Sequence, residues 1–349
     1  NRSLVIGNPW PCDNFFKHAM KGHPGTNAPG GDLWSRDRKR CLRKIIQITA
    51  EDSPNVVLAR EEIALGLEPS GSIVLPGVKD WEEYQDEEET WDEVQRAVSH
   101  RAEFWEGEDI LLLTRALLDQ AKHRAEAIQG KRRKAEAIGI DPAEGGDKTC
   151  WAIVDNLGLI ELISKKTPDT KVIPMETIAL GKRYNVPSER WFFDRSGGGW
   201  EHACDLRSMG YQGVNTVGFG ESVSPPSSPV DDSIDPYDPT EVHEAREEKY
   251  LYLNRRAEMY GMLRLRVKRG FALPAQYTEL RRQLGLIPIR YDGEGRMKLP
   301  PKDKPAGSKS KDPTLKQILG RSPDEADALV LAIYGMDTAE DYITLGRAF

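Results

Sequence analysis

The chain has 349 residues, 38% hydrophobic residues, eight Trp and a formal net charge of −7. This length exceeds the roughly 100 to 200 residues of one domain and predicts two units, or one large domain with an added segment. No apolar run reaches the ~18 residues of a transmembrane helix, and the four scattered Cys argue against a zinc site or a disulfide framework. We expect a globular protein of a reducing cytoplasm. Because it begins without Met, we also expect a fragment or a processed chain.

The first 134 residues change from strands to helices. SLVIG and RKIIQITA are predicted strands separated by a Gly/Pro loop at 22–31. VVLAREEIALGL, WDEVQRAVSHRAEFW and LLLTRALLDQAKHRAEAI are predicted helices, and the last ends in the basic run KRRK. We take that run as a boundary and predict three segments: 1–60, 61–134 and 135–349.

The pattern after residue 135 predicts a mixed α/β sheet. AEAIGID, TCWAIVDN and GLIELIS are three short apolar segments joined by turns, as an antiparallel meander requires. A helix at about 172–184, the strand RWFFD, a helix near Trp200 and a strand near VNTVGF follow. The Pro, Ser and Asp-rich segment 222–241 is predicted to be a mobile insertion. Then come a long helix ending before Gly270, a helix at TELRRQL and the hairpin IPIRYDGEGRMKLP.

Three stretches each place an aspartate where a metal ion could use it. Asp141 and Asp194 end predicted strands and precede Gly-rich turns, in IGIDPAEGG and WFFDRSGGG. In SPDEADAL, Ser322 is the predicted N-cap, with Glu325 completing a capping box, so Asp324 and Asp327 share one face of a helix start. Each stretch alone has an ordinary explanation as a turn or a helix-dipole complement. As a set, they predict a site for Mg²⁺ or Mn²⁺ and hydrolysis of a phosphodiester by two ions.

The order and spacing of five runs resemble the nuclease domain of the large terminase subunit of tailed bacteriophages. The runs are IGIDPAEGGDKTCWAIV, FFDRSGGGWEHACDLRSMGY, YLNRRAEMYGMLR, RMKLPPK and SPDEADALVLA. The resemblance implies an RNase H-like fold and metal-dependent endonuclease activity on double-stranded genome DNA during packaging into capsids. It implies metal binding and catalysis by Asp141, Asp194 and either Asp324 or Asp327. It also implies portal protein and small terminase subunit as partners, and the host bacterial cytoplasm as location.

The N-terminal part also looks like this family. SLVIGNPWPCDNFF resembles the last strand of the packaging ATPase core, so segment 1–60 would be the C-terminal remnant of that core. Segment 61–134 resembles the lid-like linker before the nuclease. The chain has no G-x-x-x-x-G-K-[ST] motif, so we expect ATP to be bound and hydrolysed only by a full-length protein.

The charge distribution offers a place for DNA. Residues 246–311 contain 17 Lys and Arg against seven Asp and Glu, whereas 80–93 contains nine acids and no base. We predict phosphate contacts from Arg255, Arg256, Lys298 and Lys302, without base readout. Two alternatives remain open: a RuvC-like resolvase or transposase nuclease, which shares the carboxylates, and a non-catalytic DNA-binding or portal-docking part of a packaging motor.

Overall fold

The structure is a computed structural model that describes residues 6–9, 15–21, 30–104, 110–143, 147–224, 251–304 and 312–345. The chain divides into two compact units: Asn1–Glu108 with Tyr291–Arg296, and Asp109–Arg290 with Met297–Phe349. The expected strand SLVIG, most of the 222–241 insertion and the start of the predicted long helix lie outside the described residues.

The first unit is mainly helical. It contains the antiparallel strands β1 (Leu33–Trp34) and β2 (Cys41–Arg43), preceded by α1 (Phe15–Lys21). A 3₁₀ turn (Ala50–Asp52) leads into α2 (Pro54–Ala64), and α3 (Trp81–Thr90) follows after a loop. Asp80 caps α3 by accepting a hydrogen bond from the backbone N–H of Glu83 at 2.8 Å.

Two sequence predictions for this unit are wrong. Residues 44–49 of RKIIQITA form no strand, and Ile46 and Ile48 are exposed. The helix predicted for WDEVQRAVSHRAEFW is only α4 (Glu93–Gln95) and a π-helical turn (Arg96–His100). It ends there because Ala102 has a left-handed backbone, with φ of 52°.

A five-stranded mixed sheet forms the centre of the second unit. Its strands are β4 (Ala137–Asp141), β5 (Thr149–Asp155), β6 (Gly158–Lys165), β7 (Trp191–Asp194) and β8 (Asn215–Val217), in the order β6-β5-β4-β7-β8. β4, β5 and β6 are antiparallel neighbours, as the predicted meander requires, whereas β7 runs parallel to β4 and β8 runs parallel to β7. Since β4 and β7 are parallel, their C-terminal residues lie at the same edge of the sheet.

Helices cover both faces of this sheet. On one face, α6 (Val172–Tyr184) and α7 (Gly199–Ser208) pack against a core that includes Ile138, Ile140 and Phe193. On the other face lies α11 (Asp324–Leu345), which meets the sheet at Gly139 and Phe192. A Cβ at Gly139 would lie 2.1 Å from the backbone oxygen of Ala328, so only glycine allows so close an approach.

The second unit also contains helices and short strands outside the large sheet. They are β3 (Ile110–Leu111), α5 (Arg115–Ala127), α8 (Arg255–Arg269), α9 (Thr278–Leu286), β9 (Pro288–Tyr291), β10 (Met297–Lys298) and α10 (Leu315–Leu319). β3, β9 and β10 form a small sheet in the order β10-β9-β3. Gly270 ends α8 as predicted. The mixed sheet flanked by helices confirms the expected RNase H-like fold class; the assignment of 1–134 to an ATPase remnant and a lid-like linker stays a prediction.

Candidate metal centre

The four aspartates singled out from the sequence come together at one edge of the large sheet. Side chains alternate between the two faces of a strand, so Asp141 lies on the same face as Gly139, and Asp194 on the same face as Phe192. This is the face covered by α11, whose first turn contains Asp324 and Asp327. All four are buried, with exposed fractions of 5%, 3%, 2% and 1% in chain order.

Asp327 is held by three donors. Its Oδ1 accepts hydrogen bonds from the Tyr260 hydroxyl at 2.6 Å and from Arg256 Nη2 at 3.3 Å. Its Oδ2 accepts one from Lys302 Nζ at 3.2 Å. Tyr260 and Arg256 are four residues apart on α8 and therefore reach the carboxylate from the same helix face. Burial alone would raise the pKa of Asp327, but Arg256 and Lys302 outweigh it and hold that pKa below its ordinary value.

Asp194 is oriented by the turn that follows it. The backbone N–H of Ser196 donates to Oδ1 at 3.1 Å, and the Ser196 hydroxyl donates to Oδ2 at 2.5 Å. Gly199 leaves space for this turn, because a Cβ there would lie 1.8 Å from the backbone oxygen of Asp194. Burial raises the pKa of Asp194, and the charge of Asp327 adds to the increase, although the bonds from Ser196 oppose it.

Asp141 lacks such support within the described part of the chain, where no hydrogen bond to its carboxylate is formed. Burial raises its pKa well above the ordinary value of 3.8. The Lys302 ammonium opposes this increase, whereas the charges of Asp327, Asp194 and Asp324 strengthen it. Asp141 is thus the aspartate whose negative charge is least compensated by protein donors.

Asp324 has different neighbours from Asp327. Its Oδ2 accepts a long hydrogen bond from the backbone N–H of Lys148, at 3.4 Å, and lies 3.7 Å from the Arg321 guanidinium. Asp324 contributes to the electrostatics of Asp141, but it is not among the main charges acting on Asp194. Asp327, in contrast, acts on both.

The start of α11 is capped differently from the prediction. Ser322 Oγ is buried and forms no hydrogen bond with any residue that the structure describes, so the expected capping box with Glu325 is wrong. Instead, the side-chain oxygen of Gln283 on α9 accepts the backbone N–H of Ala326 at 3.0 Å. Gln283 is fully buried and donates in turn to Glu279 at 3.1 Å. A tertiary contact rather than a local one thus fixes the helix that carries Asp324 and Asp327.

The residues predicted to contact DNA have different surroundings. Arg256 is buried beside Asp327, and Arg255 donates to the Ser222 carbonyl and the Tyr334 hydroxyl. The Arg256 guanidinium is thus buried, and the partly buried Arg255 guanidinium is bonded to protein oxygens, so we include neither in a phosphate-binding surface. Lys302 is 31% exposed and adjoins the carboxylates, whereas Lys298 is half-buried on β10.

The carboxylates of the cluster are suitable ligands for a hard divalent cation, although they are not arranged as a complete metal site. Within the described ranges, no three Asp, Glu, His or Cys side chains already form a group that could hold a metal ion. Protein donors occupy Asp327 and Asp194, as described above. The uncompensated charge of Asp141 beside two further carboxylates nevertheless provides oxygen ligands of the kind that Mg²⁺ and Mn²⁺ prefer.

A cavity of about 700 Å³ lies away from this cluster. It is lined by residues such as Lys134, Arg190 and Trp191, which precede or begin β4 and β7, and so it lies at the opposite edge of the sheet. None of the four aspartates lines it. The candidate centre is therefore identified by its charges and not by a deep cavity.

Sequence reasoning missed the residues that support the aspartates. Tyr260, Ser196 and Gln283 were not singled out, and Arg256 was assigned to the surface. The four-residue spacing of Arg256 and Tyr260 was visible in YLNRRAEMYGMLR, but nothing in that run indicates that its partner is an aspartate 67 residues beyond Tyr260. Ser196 follows Asp194 by two residues, which is a recognisable turn pattern.

No helix in the described residues combines the length and the apolar character needed to cross a membrane. No protein-family model matches the chain, and no curated protein matches it.

The chain is similar to several solved structures, of which three are described. The nuclease domain of the large terminase subunit gp2 of bacterial virus Sf6 has 18% identity and a TM-score of 0.47, covering 64% of this chain and 98% of that one. The large terminase nuclease from thermophilic phage G20c has 16% identity and a TM-score of 0.33, covering 58% and 83%. The HK97 bacteriophage large terminase has 12% identity and a TM-score of 0.37, covering 79% and 54%. The Sf6 domain was also solved with manganese or calcium, and the G20c nuclease with magnesium or cobalt.

Proposed function

We propose that this chain is the nuclease part of a large terminase subunit of a tailed bacteriophage. It would be a divalent-metal-dependent endonuclease that cuts double-stranded genome DNA during packaging into capsids. The observation that carries the proposal is the convergence of Asp141, Asp194 and Asp327 on one buried sheet edge, beside the basic groups of Arg256 and Lys302. The order of the sequence runs that resemble the terminase nuclease is the reason to propose a terminase rather than another enzyme that cuts phosphodiesters.

Each residue of the cluster has a distinct role in this proposal. Mg²⁺ or Mn²⁺, as a pair of ions, would activate water and stabilise the charge that develops on the phosphodiester. Asp141 and Asp194 would hold the metal, with Ser196 fixing the orientation of the Asp194 carboxylate. Tyr260 and Arg256 would keep Asp327 ionised and in place. Lys302, at the rim of the cluster, would offer its ammonium to an incoming phosphate.

We assign the third ligand to Asp327 rather than Asp324. The support is electrostatic: Asp327 acts on both strand-end aspartates, whereas Asp324 acts on Asp141 and is drawn to Lys148 and Arg321. Asp327→Asn should lower the Mn²⁺ affinity measured by calorimetry by at least tenfold, and Asp324→Asn should lower it by less. A larger loss for Asp324→Asn would reverse the assignment.

Nicking of supercoiled plasmid tests the catalytic proposal. The wild-type chain should nick with Mg²⁺ or Mn²⁺ and not with EDTA, and Asp141→Asn and Asp194→Ala should each reduce the rate by at least a hundredfold. Asp205→Asn, at an exposed position on α7, is the matched control and should cut at the wild-type rate. Unchanged nicking by both active-site variants would refute the assignment.

The same assay separates the two alternatives. Selective cutting of four-way junctions over linear duplex would favour a RuvC-like resolvase. DNA binding without any cleavage under these metals would favour a non-catalytic docking part of a packaging motor. For the terminase proposal, we expect sequence-tolerant cutting of ordinary duplex DNA.

Phosphate contacts are proposed at Lys298 and Lys302. Log affinity for duplex DNA should fall steeply with log salt concentration, because binding displaces counterions from the phosphates. Lys298→Glu should weaken binding to unrelated duplex sequences alike, and a flat salt response would contradict the proposal.

The wider assignments depend on the terminase proposal. We propose the portal protein and the small terminase subunit as partners, and the host bacterial cytoplasm as location. We expect no ATP hydrolysis by this chain alone, since it lacks the phosphate-binding motif of P-loop ATPases. Metal-dependent ATP turnover by the purified chain, measured by phosphate release, would contradict that expectation.

A further inference from the structure

The first unit exposes a run of apolar side chains on the loop between α2 and α3. We name this segment, residues 65–78, the pinned loop. Leu65 is 77% exposed and Val74 is 55% exposed, and Leu67, Ile73 and Leu75 are exposed as well. Single exposed apolar residues are normal on protein surfaces, whereas contiguous ones mark an interaction site, and Ile73, Val74 and Leu75 are three exposed apolar residues in succession.

The pinned loop is fixed from beneath by one buried side chain. Asn55 lies on α2, and its Oδ1 accepts hydrogen bonds from the backbone N–H groups of Val74 and Leu75 at 2.7 and 2.9 Å. Its amide donates to the carbonyls of Leu75 and Val78 at 3.0 and 3.3 Å. All of the amide's oxygen and nitrogen capacity is thereby used to hold this backbone in one conformation. The backbone at Val74 and Leu75 is therefore fixed while the side chains of both residues remain exposed.

Charge identifies the kind of partner. Residues 61–93, which include the pinned loop and α3, contain twelve Asp and Glu and a single base, Lys79. That base is paired with Glu83 and Glu87. Beyond the window, Arg96 pairs with Glu93, and His100 contacts Glu87 and Glu88. The negative charge offered to a partner is therefore that of the other, exposed acids, such as Glu61, Glu82 and Glu89. Nucleic acid and anionic membrane surfaces are repelled by such a surface, whereas a protein that surrounds apolar side chains with Lys and Arg is attracted to it.

We propose that the pinned loop and the acidic helix α3 form a docking surface for a protein partner that presents an apolar patch rimmed by basic residues. The apolar side chains would supply the buried centre of the interface, and the carboxylates would steer and orient the partner. Because Asn55 fixes the loop in advance, little conformational entropy is lost when the partner binds. This surface is separate from the carboxylate cluster and does not depend on the nuclease proposal.

A designed peptide tests the surface with the full chain. The probe is a fluorescent 18-residue helix with Leu on one face and Lys on the other, and its binding is followed by anisotropy. We expect the double variant Ile73→Ser with Leu75→Ser to bind at least tenfold more weakly than wild type, with unchanged circular dichroism because both side chains are exposed. The control, Met175→Ser with Met209→Ser, alters two exposed apolar residues of the second unit and should bind like wild type.

Two further arms test the charge and the pinning. A peptide with Glu in place of every Lys should not bind, and Glu82→Lys with Glu89→Lys should weaken the basic peptide at least fivefold. Asn55→Ala should speed hydrogen exchange at the Val74 and Leu75 amides and lower affinity while the apolar side chains remain.

Several results would overturn the proposal. Equal binding by wild type and the Ile73/Leu75 variant would mean that the peptide responds only to acidic charge. If Asn55→Ala exchanged its amide hydrogens faster but bound the peptide as tightly as wild type, the fixed conformation of the loop would have no role in binding. Binding of anionic vesicles or duplex DNA through this loop, or concentration-dependent self-association abolished by the Ile73/Leu75 variant, would replace the proposed partner by a different one.

Discussion

Replacing Asp141 by Asn should have opposite effects on stability in the absence and presence of metal. The Asp141 carboxylate is buried beside three other carboxylates, and no described residue donates a hydrogen bond to it. Asn has nearly the same shape and carries no charge. In EDTA at pH 7, the variant should therefore be more stable than wild type by about 1–3 kcal/mol, because it removes a buried negative charge from beside three other carboxylates while keeping the shape of the side chain.

The dependence on pH has a definite sign. The folded pKa of Asp141 is raised above its unfolded value, so the aspartate is not penalised at a pH below the unfolded pKa near 3.8. The penalty develops as the pH rises from the unfolded pKa to the folded pKa, because the unfolded chain releases its proton first, and it is complete once the folded protein also holds the charged form. The advantage of Asn over Asp should therefore be present at neutral pH and disappear in acid.

Metal should make wild type more stable than Asp141→Asn, which reverses the order of stability in EDTA. A ligand at one hundred times its dissociation constant stabilises the folded state by about 2.7 kcal/mol. Wild type should gain about this much from Mn²⁺, while Asp141→Asn, with one ligand removed, should gain little. Because 1 kcal/mol shifts the melting temperature of a unit this size by roughly 2–4 °C, scanning calorimetry resolves both effects.

Asp205→Asn is the control for a change of charge alone, since Asp205 is exposed on α7. It should melt like wild type in both buffers. Lower stability of Asp141→Asn in EDTA, together with equal Mn²⁺ shifts in the variant and wild type, would refute the reasoning.

Three further substitutions test the supports of the cluster. Tyr260→Phe removes a donor to Asp327 and should cost about 1.5–3 kcal/mol of unfolding free energy in urea at pH 7, with less loss in acid as Asp327 protonates; an equal loss at every pH would contradict the role of its charge. Gln283→Leu leaves the start of α11 uncapped and should cost about 1–2 kcal/mol, and an unchanged midpoint would refute this. Gly139→Ala forces α11 away from β4 and should cost about 3 kcal/mol. Gly220→Ala, where the added Cβ meets nothing within 4 Å, is its control.

The parts of the fold that follow local patterns could be predicted from the sequence. The strands ending at Asp141 and Asp194 are short apolar runs bounded by turns, and both occur where expected. The period-2 rule then places both carboxylates on one face without further information. Gly139 allows a helix to approach that face, but the sequence does not indicate that Ala328 of α11 is the residue that lies against it.

Features that depend on distant partners could not be predicted. Ser322 has the local signature of an N-cap, yet the helix is capped by Gln283, which lies 43 residues before its partner Ala326. Arg256 belongs to a basic run that is typical of a surface helix, yet the negative charge of Asp327 compensates the burial of its guanidinium. Ile46 and Ile48 alternate as in a half-buried strand, but a strand forms only where a partner strand completes its hydrogen bonds.

Anomalous diffraction from crystals soaked in Mn²⁺ tests the central claim most directly. We predict a manganese peak bound by carboxylate oxygens of Asp141, Asp194 and Asp327, at about 2.0–2.2 Å for a hard cation of this size. A peak elsewhere, or a cluster that keeps all of its protein hydrogen bonds and binds no manganese, would contradict the account.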